Sequence, residues 1–308
     1  MEISAIKSKI HTFLNLLSEP EKMVLPLARN GLLRWVPDKI FLKIAYRSEL
    51  HQRLDLLNPI SFSEKIQWLK LYDRKPIYVH MVDKYLVKDI VAQKIGKEYV
   101  IPTYGLWNNA NDINFDQLPN SFVLKCNHDS GGVVICRDKK NLNQHETIIK
   151  LNACMQRNAY YSTREWPYKN VKRKIIAEEL LVDPDYEDLV DYKFYCFHGE
   201  PIYCQVIKNR NKDGTIDFYD MEWNIMPFTG LGLKAKKGTG IQKPINFEKM
   251  MEIAKQLSKD TFFVRIDLYN ISGKIYFGEF TLYPTSGFGR FIPNEWNTII
   301  GEMINLPL

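Results

Sequence analysis

Two neighbouring strand-like stretches embed charge in an otherwise apolar pattern, and this feature limits the chain most. Phe263-Val264-Arg265-Ile266-Asp267-Leu268-Tyr269 is followed by Asn270-Ile271-Ser272-Gly273, then by Lys274-Ile275-Tyr276-Phe277-Gly278-Glu279-Phe280-Thr281. Such a density of Val, Ile, Phe and Tyr, split by a turn-forming group, predicts a β-hairpin. Period-two alternation puts Arg265 and Asp267 on one face of the first strand, and Glu279 and Thr281 on one face of the second. A three-residue loop, Ile271 to Gly273 with Gly273 left-handed, pairs Asn270 with Lys274. Arg265 then lies opposite Glu279, with Asp267 diagonal to it. A loop of two or four residues sends Glu279 to the other face. Carboxylates in such surroundings are costly unless paired or bound to metal. Ligation by Asp and Glu oxygens suits Mg²⁺ beside phosphates, while a structural Arg265–Glu279 salt bridge accounts for the same residues without a ligand.

Two further segments join strand formers to chemistry-bearing residues. Phe122-Val123-Leu124-Lys125-Cys126-Asn127-His128-Asp129-Ser130-Gly131-Gly132-Val133-Val134-Ile135 reads as an apolar strand with a single Lys, a polar loop closing on Gly-Gly, and a second apolar run. Backbone amides in a glycine-rich turn form anion-binding nests, and a lysine adds point charge on a phosphate. An ordinary hairpin with Lys125 in solvent is the competing account. Lys174-Ile175-Ile176-Ala177-Glu178-Glu179-Leu180-Leu181 precedes an acidic loop (Asp183, Asp185, Glu187, Asp188) and Asp191-Tyr192-Lys193. Its end suits a base edge, with a carboxylate left for a ribose; a strand end with solvated acids is the plainer account.

The rest of the chain supplies the frame. Residues 1–58 read as a helical extension of short amphipathic helices broken by Pro20, Pro26 and Pro37, with Pro59 just beyond. Its Arg29, Arg34, Lys39, Lys43 and Arg47 fit either a cap packed on the main domain or docking to a membrane surface or partner. A helix is expected from Ser61, with Ser63 as N-cap, and another from Val79 to Ile95, ending at Gly96. Strands are expected at Ser121–Cys126, Lys174–Ala177, Tyr192–Phe197, Ile202–Ile207, Thr261–Tyr269 and Lys274–Thr281, with a helix at Phe247–Leu257. The class is α+β, with mostly antiparallel strands and segregated helices.

Composition narrows the function. A chain of 308 residues with 45% hydrophobic residues has ample core, and its net charge of +6 suits polyanionic substrates without being a nucleic-acid signature. Gly31–Tyr46 is interrupted by Arg34, Asp38, Lys39 and Lys43, so no membrane span is expected. The first twenty residues, with Glu2, Lys7, Lys9 and Glu19, lack a secretory pattern. Five Cys without a CxxC pair read as reduced thiols in a cytoplasmic protein, and six scattered His argue against structural zinc. No Walker A or GxSxG motif occurs. Gly230-Leu231-Gly232-Leu233-Lys234-Ala235 matches GxGxxA, but no expected strand precedes it.

In this order the segments resemble the ATP-grasp superfamily, from about Asp83 to Gly287. Asp83-Lys84 is similar to the Asp-Lys that opens its nucleotide-binding part, Phe122 to Ile135 to its phosphate-binding Lys and glycine-rich loop, and Ile175 to Leu181 to its adenine hinge. Arg265-Ile266-Asp267 and Glu279-Phe280-Thr281 resemble its Arg-x-Asp and Glu-x-Asn, with Thr281 where Asn is usual. Asn58-Pro59 through Asp73-Arg74, Phe122 to Gly131, Asp191 to Phe197 and Tyr276 to Glu279 resemble the TupA-like, teichuronopeptide-biosynthesis branch, whose members are associated with bacterial surface polysaccharides.

The resemblance implies an ATP-grasp domain over 59–308, with a nucleotide-clamping part at about 121–195 and a metal-binding part at about 196–308. It also implies carboxylate activation by ATP and Mg²⁺ through an acyl phosphate, then displacement by an amine. Lys125 and Lys193 would hold phosphates with Lys84, under a loop of Ser130, Gly131 and Gly132. Glu178, Glu179, Leu181 and Asp185 would take the nucleoside. Asp267, Glu279 and Thr281 would hold metal, and Arg265 the transferring phosphoryl. His128, Ser286 and Gly287 would face the acceptor. The implied partners are a sugar acid or polysaccharide and an amino acid; the expected location is the cytoplasm, with the inner face of the membrane as the alternative. A glycosyltransferase using Asp183-Pro184-Asp185 as a DxD motif, a sugar kinase on the same site, and a non-catalytic glycan-binding module are the alternatives. The closing of Gly230 to Gly240, with Lys234, Lys236 and Lys237, on an anionic substrate is a further expectation.

Overall fold

The structure is a computed structural model that describes residues 23–129, 131–209, 214–232 and 236–308. Ser130, Lys234 and the start of the N-terminal extension lie outside the described residues. Each long apolar run becomes a strand, and every strand pairing is antiparallel. A four-stranded sheet is built from β1 (Thr103–Trp107), β4 (Ile175–Glu178), β2 (Phe122–Cys126) and β3 (Val133–Cys136), in that order. A five-stranded sheet runs β10 (Lys274–Thr281), β9 (Phe263–Ile271), β5 (Asp191–Phe197), β6 (Glu200–Lys208) and β7 (Thr215–Tyr219). A short pair, β8 (Thr229–Gly230) and β11 (Phe291–Ile292), completes the set.

Two helices show why one face of each sheet is apolar. Helix α6 (Gln144–Met155) buries Leu151 and Cys154 in a core with Phe122, Leu124 and Ile175 of the four-stranded sheet. Helix α7 (Phe247–Ser258) covers the five-stranded sheet, with Phe247 stacked on Phe194 at 5.7 Å between ring centroids. Ile101, Leu181 and Tyr276 form a small apolar cluster between the two sheets.

The N-terminal helices α1 (Val24–Arg29) and α2 (Asp38–Leu50) bury Phe41, Leu42, Ala45 and Tyr46. This cluster packs on Trp68, Leu71 and Phe288 of the main body. Arg164, fully buried, fastens the junction by donating to the carbonyls of Leu33 (2.7 Å) and Val36 (3.1 Å) and pairing with Asp38.

Three local expectations change. Helix α3 (Phe62–Tyr72) is capped by Ser61, not Ser63, because Glu64 reaches back to the Ser61 amide and completes a capping box. Ser63 is instead buried and bonds Tyr46. The single helix expected over Val79–Ile95 is two, α4 (Ile77–Val82) and α5 (Val87–Lys94). The Asp83 carboxylate breaks it by accepting from the amides of Tyr85 (2.9 Å) and Leu86 (3.2 Å), the usual competition of Asp with helix.

The third change is in the hairpin. Its turn is the two-residue Ser272-Gly273, with φ of 50° and 89°, so Lys274 pairs with Ile271 rather than Asn270. Asn270 closes this turn by accepting from the Gly273 amide at 3.0 Å. A bulge between Phe277 and Glu279 then shifts the register by one, so Glu279 faces Asp267 and Thr281 faces Arg265. Gly278 sits at the bulge, where a Cβ would come within 3.1 Å of the Asp267 carbonyl.

Candidate active site

The face of the five-stranded sheet opposite the Phe247–Ser258 helix concentrates charge. Lys193 of β5 is paired in register with Asp267 of β9, and their side chains form a buried ion pair. A second carboxylate, Asp191, lies 3.4 Å from the same amine. Arg265 grips Asp267 with Nε at 2.6 Å and Nη2 at 2.7 Å, and donates to Thr281 Oγ1 at 2.9 Å. Burial works against the Arg265 charge, but Asp267, Tyr195 and Glu279 hold it above the ordinary arginine range.

Glu279 ties the sheets together. Its side chain stays 41% exposed and lies 3.5 Å from Arg265 Nη2. Burial opposes its ionisation, yet Lys84, Lys193, Arg265 and Lys125 outweigh that cost and hold the carboxyl down at about 2. These four cations come from four separate stretches of chain. Lys84 stands at the break between α4 and α5. Its backbone amide donates to the Asn127 carbonyl at 3.1 Å and its amine to the Asp129 carbonyl at 3.1 Å.

Lys125 of β2 is ion-paired with Glu178 of β4. Beyond β4, the Glu179 amide bonds the Pro102 carbonyl and Leu181 enters the cluster between the sheets. Asp185 is exposed, and its amide donates to Asp183 at 2.9 Å. In the glycine-rich loop the Gly131 amide donates to Asp129, while Gly132 packs where a Cβ would lie 2.2 Å from Cys154 Sγ.

Some residues expected at the site stand apart from its cleft. His128 is buried, with Nδ1 3.3 Å from Asn127 Oδ1, and burial pushes its imidazole below the usual range. Gly287 is buried under Gln67. Ser286 donates to Glu165 Oε1 at 2.5 Å, and its carbonyl accepts from the fully buried Lys70.

Sequence reasoning missed Tyr168, carried by the turn Trp166–Asn170. Burial, then Glu165, Glu279 and Asp129, raise its phenol well above the usual range against the pull of Arg265, so it is a hydroxyl donor beside the site. It also missed Lys88, which pairs with Glu178 at 2.7 Å.

The acidic set suits Mg²⁺. Among the described residues no cluster of three or more His, Cys, Asp or Glu can hold a metal. Asp267 and Glu279, facing each other in register, are a two-carboxylate hard-oxygen set. Mg²⁺ commonly uses one or two carboxylates and completes its shell with water and phosphate.

The family model described as TupA-like ATP-grasp matches residues 64–305. The chain belongs to the TupA-like ATP-grasp family. Its α+β architecture is the ATP-grasp fold with helices added at the N-terminus. No curated protein matches. Among solved structures, a D-alanine–D-alanine ligase from Helicobacter pylori is similar at 17% identity and a TM-score of 0.43, over 80% of this chain and 67% of that one. An L-amino acid ligase from Bacillus licheniformis is similar at 13% identity and a TM-score of 0.44, over 82% of this chain and 57% of that one. The ATP-grasp ligase PsnB, complexed with a minimal precursor, Mg and ADP, is similar at 11% identity and a TM-score of 0.37, over 82% and 64%. No helix among the described residues is long and apolar enough to cross a membrane.

Proposed function

We propose that this TupA-like ATP-grasp protein is a carboxylate–amine ligase that activates a sugar acid of a bacterial surface polysaccharide with ATP and joins it to an amino acid. The observation that carries the reading is Glu279, held ionised by Lys84, Lys125, Lys193 and Arg265. A half-open carboxylate ringed by four cations suits a polyphosphate with its divalent ion. Membership of the TupA-like family supports the polysaccharide, and an acidic substrate suits the charge of +6.

On this reading Lys125 and Lys193 leave their carboxylates to hold the α- and β-phosphates, and Lys84 assists. Glu178, Glu179 and Leu181 line the base, and Asp185 the ribose. Asp267 and Glu279 would hold Mg²⁺, which would supply positive charge against the phosphates. Thr281 serves as a brace for Arg265, which faces the transferring phosphoryl. A substrate carboxylate oxygen attacks the γ-phosphorus and ADP leaves. The amine nitrogen then attacks the acyl carbon, the carbon–oxygen bond to phosphate breaks, and the nitrogen loses a proton as the amide forms. The Tyr168 hydroxyl lines the acceptor side.

The glycosyltransferase alternative needs Asp183 and Asp185 as a metal pair, yet Asp183 is buried and caps the Asp185 amide. Thermal unfolding with ATP, UDP-glucose or GDP-mannose, with and without Mg²⁺, separates the readings. A Mg²⁺-dependent shift with ATP supports the ligase and leads to an ADP-release screen of sugar acids with amino acids. A shift with a sugar nucleotide alone overturns it.

A further inference from the structure

The amine of Lys88 is used up inside the protein. It lies 2.7 Å from Glu178 Oε1, 2.7 Å from the Ile101 carbonyl and 2.6 Å from Thr103 Oγ1. An ammonium has three donors, so none remains for a ligand. Lys88 can therefore influence a bound molecule only through a neighbour, and the charged neighbour is Glu178. The Glu178 side chain is only 4% exposed, and its other oxygen is held by Lys125. Lys125 differs from Lys88: among the described residues Glu178 is its one acceptor, which leaves donors for a ligand.

The two lysines also sit on different supports. Lys88 belongs to α5 and is tied to the stretch entering β1 through Ile101 and Thr103. Ile101 packs with Leu181, three residues beyond Glu178. The Lys88 amine thus locks one carboxylate oxygen to the frame of the hinge, while Lys125 holds the second from β2.

We propose that Lys88 is a positioning residue for base recognition: it anchors Glu178 Oε1 so that Oε2, once Lys125 turns to phosphate, faces the base and accepts from an exocyclic amino group. This rests on the ATP site proposed above. In the free protein Glu178 occupies the Lys125 amine. With nucleotide bound, Lys88 keeps the buried carboxylate paired and aimed, since an unpaired buried carboxylate is costly. Selection of an amino-purine over an oxo-purine then depends on a residue that touches neither.

The test titrates the full chain with Mg²⁺ and either ATP or inosine triphosphate, which carries an oxo group in place of the amino group. The wild type should prefer ATP by about tenfold, the value of one charge-assisted hydrogen bond. Lys88→Met should weaken ATP by about that factor, change inosine triphosphate little and erase the preference, and Lys88→Arg should restore most of it. Glu178→Gln gives a second readout. With Lys88 holding the amide oxygen, the NH₂ faces the base and donates to the oxo group, so preference should turn toward inosine triphosphate. A Lys88→Met protein that keeps the wild-type preference, or loses both nucleotides equally, overturns the role, as does Glu178→Gln that still prefers ATP. A wild type that binds neither nucleotide overturns the ATP site itself and this role with it.

Discussion

Glu279 of β10 stands directly opposite Asp267 of β9, and a one-residue bulge at Gly278 puts it there. The two-residue turn alone would pair Glu279 with Ile266 and point it at the wrong face. Turn and bulge together restore the parity that brings both carboxylates to the cleft.

Deleting Gly278, the extra residue of the bulge, should straighten β10 while leaving Glu279 opposite Asp267, so the Mg²⁺·ATP thermal shift should survive. Gly278→Val, whose Cβ would crowd the Asp267 carbonyl, should cost about 1–3 kcal/mol in denaturant unfolding. Loss of the nucleotide shift in a deletion protein that still folds would sink the register argument.

The facing carboxylates should respond differently to neutralisation. Asp267 is buried between Lys193 and Arg265, so Asp267→Asn leaves two buried cations short of a partner and should cost about 3–5 kcal/mol. Glu279 is partly open, so Glu279→Gln should cost less than about 1 kcal/mol yet lower turnover by about a hundredfold or more. Paired melting curves and ADP-release rates check this, and equal stability losses would contradict it. Because the Glu279 carboxyl is held at about 2, its contribution to stability is present above its ordinary 4.5 and is lost as pH falls through 2.

Lys70 should make the protein more stable as pH rises above neutrality. Burial drives its amine down to about 7 against the weaker pull of Glu165. Its folded value lies below its unfolded 10.5, so between about 7 and 10.5 the unfolded chain binds more protons and stability increases with pH. The slope from this group is on the order of 1 kcal/mol per pH unit, and Lys70→Met should flatten it in urea unfolding across pH 7 to 10. An unchanged slope would show that the amine titrates elsewhere.

Arg164→Met should loosen the N-terminal helices selectively. It leaves the Leu33 and Val36 carbonyls without their donor, although Asp38 keeps Arg74 at 2.7 Å. A loss of about 3 kcal/mol is expected, with limited proteolysis cutting first in the segment joining α1 and α2. Cleavage confined to another region would refute the fastening role.

Much of the charged cluster proposed as the site was legible before any fold was known, because its charges sit in apolar strands where unpaired carboxylates are costly. Arg265, Asp267 and Glu279 were found that way, and strand β10 has the expected limits. Lys88 and Tyr168 were not, since a lysine on a helix and a tyrosine in a short turn look like ordinary surface residues. Strands β1 and β7 escaped too: Thr103-Tyr104-Gly105 and Thr215-Ile216-Asp217 are short, polar runs that become strands only by pairing with β4 and β6.

The sequence by itself determined the α+β class, the antiparallel strands, the charged hairpin and the resemblance that family membership bears out, because periodicity and residue chemistry are local properties. Tertiary structure alone decided which carboxylate faces which, that Lys84 and Lys125 meet Lys193 and Arg265 around one glutamate, and that His128 turns inward. Register depends on a turn and a bulge acting together, and burial depends on what packs from a distant part of the chain. Neither can be read from the spacing of residues along one strand.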